Sequence, residues 1–151
     1  MEHTKLKRLN CAISSIHSIY HHAACQFGMS DSVMMILYTV SVMEGKCLLR
    51  DIYTLSGMPK QTINSAIRKL EQKEIIYLEN QNKKAKNVCL TPKGKMLAEK
   101  TVVKLISAEN HILESWTETD ADLYIRLNQK YVEDLSQQLL LLTEKENLKS
   151  C

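Results

Sequence analysis

Apolar residues recur every three or four positions through the start of the chain, which is the spacing of one face of an α-helix. This stripe predicts a helix from about residue 4 to 27, ended by Gly28. A second helix is expected over 31–44, with Ser30 as its N-cap and Gly45 as its stop, and a third over 49–56. The first stripe comprises Leu6, Leu9, Ile13, Ile16, Tyr20, Ala23 and Phe27.

A break at Gly57 is followed by Pro59, which suits the first turn of a helix because that turn does not need its missing N–H. We therefore expect a fourth helix from Pro59 to about Lys73. Helical spacing gives this helix one apolar side, which should face the core. The apolar side comprises Ile63, Ala66, Ile67 and Leu70, and the core of this part of the chain is expected to contain Ile52, Leu55, Ile63, Ile67 and Leu70.

Residues 75–79 and 86–90 are short β-favouring runs on either side of a polar, basic segment, which predicts a β-hairpin. Thr91 and Pro92 then fit the N-cap and first position of a long helix ending near Trp116. A last helix is expected over about 120–145. It carries the apolar residues Tyr124, Leu127, Tyr131, Leu135, Leu139 and Leu142.

A short helix, a turn with glycine, a second helix and a hairpin follow one another in the order of a winged helix-turn-helix. The sequence therefore predicts a mainly α chain, with a winged helix-turn-helix lobe, a two-stranded β wing and a helical lobe formed by the N- and C-terminal helices. With 151 residues, 44% of them hydrophobic, the chain is long enough for one domain with a core.

Composition argues against several classes of protein. No apolar run is long enough to cross a bilayer, and the polar first residues do not resemble a signal peptide, so a cytoplasmic location is expected, with no membrane partner. The five cysteines are scattered and never form a Cys-x-x-Cys pair, which favours reduced thiols. No motif for a cofactor is present, and none is expected.

Charge is distributed unevenly along the chain, although the net charge is only +3. Residues 59–104 contain eleven Lys or Arg and four Glu, a local charge of +7, whereas residues 105–151 have a local charge of −5. A basic middle segment between neutral and acidic ones suits a surface that meets a polyanion such as DNA.

The polar side of the fourth helix has the side chains that read base edges. Gln61, Asn64, Ser65 and Arg68 share this side at helical spacing. Gln and Asn can pair with adenine, Arg with guanine, and Ser with bases or phosphates. An ordinary solvated helix face would look similar if the helix stood alone. The full set of expected DNA-binding residues is Lys60, Gln61, Thr62, Asn64, Ser65, Arg68, Lys69, Lys83, Lys84 and Lys86.

The chain resembles the MarR family of winged-helix regulators, through residues 49–71, the following Lys73-Glu74-Ile75-Ile76 and the exit from the hairpin, Val88-Cys89-Leu90-Thr91-Pro92-Lys93-Gly94. Two departures from the family pattern are present. Asn82, Lys83 and Lys84 replace a typical Asp-x-Arg at the wing tip, and Glu74 replaces a common glycine.

The resemblance implies one MarR-like domain over 1–151, with a winged-helix lobe at 29–95 and a dimerisation lobe formed by 1–28 and 96–151. It also implies a homodimeric transcriptional regulator, a repressor in our interpretation, that binds a near-palindromic operator in double-stranded DNA. An effector is expected to modulate it. The resemblance places a small-molecule pocket near His17, Tyr20, Met34 and Tyr38.

The apolar stripes at the two ends of the chain independently favour a dimer. One chain has difficulty covering the first helix, Trp116 and the run Leu139-Leu140-Leu141-Leu142 at once, although packing within one chain is an alternative.

The sequence also offers candidates for other functions. An enzyme is not expected, because no catalytic motif accompanies the candidate nucleophiles, which are Cys25 near His21 and His22, or Cys89. His17 and His21 could chelate a metal with His111 or Glu109. Cys11 and Cys25 share a helix face and could sense oxidants. A protein-only adaptor of the same fold remains a further alternative.

Overall fold

The structure is a computed structural model that describes residues 4–82 and 84–149, the last six of them by their backbone alone. The predicted mainly α fold with a winged helix is confirmed. Two compact units meet between Ser107 and Ala108. The elements in chain order are α1 (Thr4–Gln26), α2 (Asp31–Val42), β1 (Lys46–Leu48), α3 (Leu49–Ser56), α4 (Lys60–Gln72), β2 (Ile76–Asn80), β3 (Lys86–Leu90), α5 (Pro92–Lys100), α6 (Val102–Ser115) and α7 (Glu118–Lys149).

The second helix begins as the sequence predicts. Ser30 is the N-cap of α2, and its hydroxyl accepts a hydrogen bond from the backbone N–H of Val33 at 3.3 Å. This helix is the centre of the first unit, because its buried side supplies Met34, Ile36, Leu37, Thr39 and Val40. Glu44 and Gly45 then have positive φ angles and turn the chain into β1.

The fourth helix differs from the prediction by one residue. Pro59 is the N-cap of α4 and not its first residue, because its extended ψ of 137° lies outside the helix. Its carbonyl nevertheless accepts hydrogen bonds from Thr62 and Ile63. The predicted apolar side is buried, as Ile63, Ala66, Ile67 and Leu70 all belong to the core.

Leu55 was expected in the core, and this prediction is wrong. Its side chain is 56% exposed, whereas Ile52, one turn earlier on α3, is fully buried. Leu55 lines the rim of a pocket formed with α1 and α2 instead of packing under α4. Helical spacing on a helix of eight residues could not separate these two environments.

The sheet has three strands, so the predicted two-stranded wing is incomplete. Strand β3 lies in the middle and pairs antiparallel with β2 on one side and β1 on the other. In β1, Cys47 lies opposite Val88, and both side chains are buried. Lys46 of β1 pairs with Glu79 of β2 across β3. The third strand fixes the base of the hairpin against the helices.

The long helix predicted from Pro92 to Trp116 is interrupted at Thr101, and this prediction is also wrong. Thr101 has a φ of −128° and a ψ of −95°, which separates α5 from α6. Its hydroxyl donates to the carbonyl of Leu97 at 2.7 Å, and its N–H to that of Ala98. A threonine hydroxyl that bonds the preceding turn competes with regular helix geometry. The described residues therefore form seven helices, one more than the six predicted from the sequence.

A compact set of contacts, which we call the wing clamp, joins residues 91–94 to residues 73–75. The Thr91 hydroxyl caps α5 by accepting from the N–H of Gly94, and it donates to the carbonyl of Glu74 at 2.6 Å. Lys93 Nζ donates to the carbonyl of Lys73 at 2.8 Å. Gly94 lies so close to Ile75 that a Cβ here would be 1.9 Å from its carbonyl oxygen. A side chain at residue 94 would therefore force the two segments apart.

Glu74 lies inside this clamp with a φ of 57°, the left-handed conformation. Glycine adopts this conformation without strain, which explains why the MarR-like pattern has glycine at this position. The departure noted in the sequence therefore places a side chain at a position where glycine is the least strained residue.

In the second unit, Thr117 begins α7 by accepting from the N–H of Asp120 and donating to its carboxylate. The helix is longer than the predicted 120–145. Every side chain from Asp122 to Thr143 is exposed, including those of eleven large apolar residues. Among the described residues, no helix is both long enough and apolar enough to cross a membrane.

Candidate nucleic-acid interface

The exposed side of α4 is the centre of the candidate interface. Gln61, Thr62, Ser65, Arg68 and Lys69 are exposed, while the opposite side of the helix is buried against α2 and α3. All five carry hydrogen-bond donors, and two of them carry positive charge. The structure therefore presents a row of polar groups on a helix that the core holds in place.

Asn64 differs from the other predicted residues of α4. Its side chain is half-buried, and its Oδ1 accepts a hydrogen bond from the Tyr53 hydroxyl on α3 at 2.5 Å. The ammonium of Lys60 lies 5.5 Å from the centre of the Tyr53 ring. Asn64 thus belongs to a polar cluster between α3 and α4, a contact that helical spacing did not reveal.

The wing tip is ordered by an asparagine turn. Asn82 Oδ1 accepts hydrogen bonds from the N–H groups of Lys84 and Ala85, both at 2.9 Å. Lys84 and Lys86 are exposed, and the predicted Lys83 lies outside the described residues. Asn82 therefore braces the turn from within, where the MarR-like pattern uses Asp-x-Arg.

A cleft of about 800 Å³ lies between the start of α3 and the wing. Arg50, Lys84 and Lys86 line it, and no acidic residue lies on its described wall. Arg50 was not among the predicted DNA-binding residues, although it lies at the start of α3, the short helix that precedes α4. Three cations around a cleft of this size suit the phosphates of a nucleic-acid backbone.

A second groove of about 600 Å³ runs between the N-terminus of α2 and α4. Its polar wall comprises Ser30, Ser32, Gln61, Thr62, Ser65 and Lys69. Four of these residues were predicted to bind DNA, and Ser30 was predicted only as a helix cap. The groove extends the polar surface of α4 to the neighbouring helix.

The four residues predicted for an effector site line one pocket of about 510 Å³ within the first unit. Tyr20 and Tyr38 meet there edge to face, with ring centres 6.4 Å apart. The wall is mostly apolar. It comprises Ile16, His17, Tyr20, Met34, Met35, Tyr38, Thr39, Val42, Met43 and Leu55.

The three histidines that are candidate metal ligands each have different surroundings. The His21 ring bonds through Nδ1 to the carboxylate of Asp31 at 2.9 Å, His17 lines the pocket above, and His111 belongs to the second unit. Within residues 4–82 and 84–143, no three His, Cys, Asp or Glu side chains are close enough together to hold a metal ion. The structure does not bring the predicted histidine set together.

Among the cysteines, Cys11 and Cys25 are exposed, and Cys47 and Cys89 are buried. Cys25 Sγ lies 3.7 Å from His21 Nε2. Burial raises the pKa of the Cys47 thiol to about 11, so this cysteine stays protonated near neutral pH. Cys151 lies outside the described residues.

Residues 27–85, which run from the end of α1 to the wing tip, match the model of the MarR family. This winged-helix segment is therefore similar to the MarR family. No curated protein matches the chain in sequence.

Solved structures of MarR family proteins share the fold over nearly the whole chain. A MarR/EmrR family regulator from Acinetobacter sp. ADP1 is 22% identical, with a TM-score of 0.70, over 91% of this chain and 99% of that one. A MarR family regulator from Neisseria meningitidis is 16% identical, with a TM-score of 0.72, over 91% and 96%.

A third MarR family regulator, from Listeria monocytogenes, was solved in complex with 26mer DNA. It is 18% identical to this chain, with a TM-score of 0.67, over 92% of this chain and 93% of that one. All three similar structures are of MarR family regulators.

Proposed function

We propose that the protein is a sequence-specific DNA-binding transcriptional regulator that binds a near-palindromic operator as a homodimer and represses by occupying it. The observation that carries this proposal is the exposed polar side of α4, held by the core next to a basic cleft at the wing. The similar regulator from Listeria monocytogenes was solved with DNA, which supports the same partner here.

The two parts of the surface have different proposed roles. Gln61, Ser65 and Arg68 can enter the major groove and read base edges, because α4 presents them together. Arg50, Lys84 and Lys86 line the cleft and would contact phosphates, which fixes the position of the helix but carries no sequence information.

This division of roles predicts different effects for Gln61→Ala and Lys84→Ala. Gln61→Ala should relax the preference at one base pair of each half-site by about tenfold, because a base contact is lost. Lys84→Ala should weaken all duplexes alike and lower the salt slope by about one unit per subunit. Binding of both variants to an operator selected from a random duplex pool, and to its single-base variants, measures both effects.

Lys130→Ala is the matched control, because it removes the same charge from α7, where the lysine pairs with Asp134. It should leave preference and salt slope unchanged. Equal losses for Gln61→Ala and Lys84→Ala, with sequence preference intact, would contradict the assigned roles. A dimer without any affinity for duplex DNA at low salt would instead favour the protein-only adaptor.

An effector pocket is a second part of the proposal. The cavity near His17, Tyr20, Met34 and Tyr38 has a volume typical of small-molecule sites and a mostly apolar wall with a few polar groups. It suits a flat apolar molecule with one polar group. Leu55 lies at the rim of this cavity on α3. A ligand here would contact α1, which belongs to the predicted dimerisation lobe, and also α2 and α3, which belong to the predicted winged-helix lobe.

We expect 2-naphthol, as a probe of this chemistry, to raise the thermal unfolding midpoint of the protein in a concentration-dependent way. Leu55→Trp should abolish the rise by filling the rim with an indole ring, while DNA binding without the probe is kept. Tyr77→Trp, at a similarly exposed residue of β2 outside this pocket, is the control and should leave the rise intact. The same rise in Leu55→Trp as in the unchanged protein would rule out this pocket as the site of binding.

A further inference from the structure

The hydrogen bond between Tyr53 and Asn64 determines which atoms Asn64 can offer to a base. Tyr53 is half-buried on α3, and its hydroxyl donates to Asn64 Oδ1 at 2.5 Å. The two residues are eleven positions apart and come from consecutive helices of the helix-turn-helix. The contact therefore depends on how these helices pack.

The amide of asparagine is planar, with its oxygen and its NH₂ group on opposite sides of Cγ. Because the oxygen of Asn64 is turned to Tyr53 on α3, the NH₂ group points away from α3. An unrestrained asparagine pairs with adenine by donating to N7 and accepting from N6. With its oxygen turned to α3 and bonded to Tyr53, Asn64 offers the two hydrogens of its NH₂ group on the side away from α3.

Lys60 contacts Tyr53, the donor of this hydrogen bond. Its ammonium lies 5.5 Å from the centre of the Tyr53 ring, a cation–π contact between α4 and α3. The ring thus contacts the core cluster, Lys60 over its face and Asn64 at its hydroxyl. These contacts together favour the arrangement in which the hydroxyl bonds the amide oxygen.

We propose that Tyr53 is a positioning residue that holds the Asn64 amide with its NH₂ group outward, so that Asn64 reads guanine and not adenine. Guanine presents only acceptors, N7 and O6, at its edge in the major groove, so an NH₂ group can donate to it without an acceptor beside it. This inference rests on the proposed function, since it concerns base readout by α4. It replaces the pairing with adenine that asparagine chemistry alone suggests.

The test compares Tyr53→Phe with Asn64→Ala on the selected operator and on all its single-base-pair variants. Asn64→Ala should identify the base pair that Asn64 reads, by losing about tenfold of its discrimination there. The unchanged protein should prefer guanine at this pair. Tyr53→Phe frees the amide oxygen, and the preference for guanine over adenine should fall to about twofold or reverse, with all other pairs and the salt slope unchanged.

Tyr124→Phe removes a tyrosine hydroxyl from α7 and is the matched control, which should behave like the unchanged protein.

A second readout needs no DNA. The side-chain NH₂ resonances of Asn64 in an ¹⁵N–¹H spectrum should shift in Tyr53→Phe and stay in place in Tyr124→Phe. A loss of fold in Tyr53→Phe would appear as shifts throughout the spectrum and as losses at every base pair.

Three results would overturn the inference. They are a guanine preference kept in full by Tyr53→Phe, an adenine preference in the unchanged protein at the pair that Asn64 reads, and losses spread evenly over all pairs in a Tyr53→Phe variant whose spectrum is that of the folded protein. In each case the unchanged protein still binds its operator, so the proposed function stands. If the unchanged protein binds no duplex at low salt, the proposed function and this inference fail together.

Discussion

Changing Leu135 and Leu139 to Asp is expected to convert the protein into a monomer and to lower its operator affinity at least a hundredfold. Both leucines are about half exposed in the single chain, on a helix whose described side chains are almost all open to solvent. If a second copy covers them, each Asp would become a buried, unpaired charge in the dimer. A monomer also loses the gain from engaging two half-sites together, which is about 10²–10⁴-fold for linked binding sites.

Sedimentation equilibrium at micromolar concentration, combined with binding to the selected operator, measures both effects. Gln137→Asp on the same helix adds a charge where the side chain is already polar, and it should leave the dimer intact. An unchanged protein that is itself monomeric at this concentration would overturn the dimer and the near-palindromic operator that depends on it.

DNA binding should depend steeply on salt, because the proposed backbone contacts are made by exposed cations. With about six to ten phosphate contacts per dimer, log K against log salt should have a slope of about −5 to −9, and affinity should fall about 10³–10⁵-fold between 50 and 200 mM salt. The cations that the structure places on this surface are Arg50, Lys60, Arg68, Lys69, Lys84 and Lys86.

Fluorescence anisotropy with a labelled operator over a series of KCl concentrations gives the slope. Arg50→Ala should make it shallower by about one unit per subunit, which would place α3 at the backbone. A slope shallower than about −2 would contradict an interface built on phosphate contacts.

Sequence alone predicted the elements that depend on local signals. Ser30 and Thr91 cap their helices as expected, and the apolar side of α4 is buried, because caps and helical periodicity act over a few residues. The same periodicity indicated the exposed polar side of α4, which is most of the candidate interface.

The missed features depend on contacts between distant residues. Strand β1 has only three residues and exists because β3, some forty residues later, pairs with it. The break at Thr101 comes from a side-chain hydrogen bond that suits several local conformations. The Tyr53–Asn64 contact requires two helices to pack in one way, so residue type could indicate base reading but not the orientation of the amide.

The wing clamp has a mechanical consequence. Since residues 91–94 fasten the exit of the wing to residues 73–75, the C-terminal end of α4 and the base of the wing are tied by hydrogen bonds and by the close approach of Gly94 to Ile75. The base of the wing therefore cannot tilt independently of α4. In the proposed complex, the distance between the groove contact of α4 and the backbone contact of the wing would therefore be set within one subunit, and an adjustment to a different operator length would have to come from the arrangement of the two subunits.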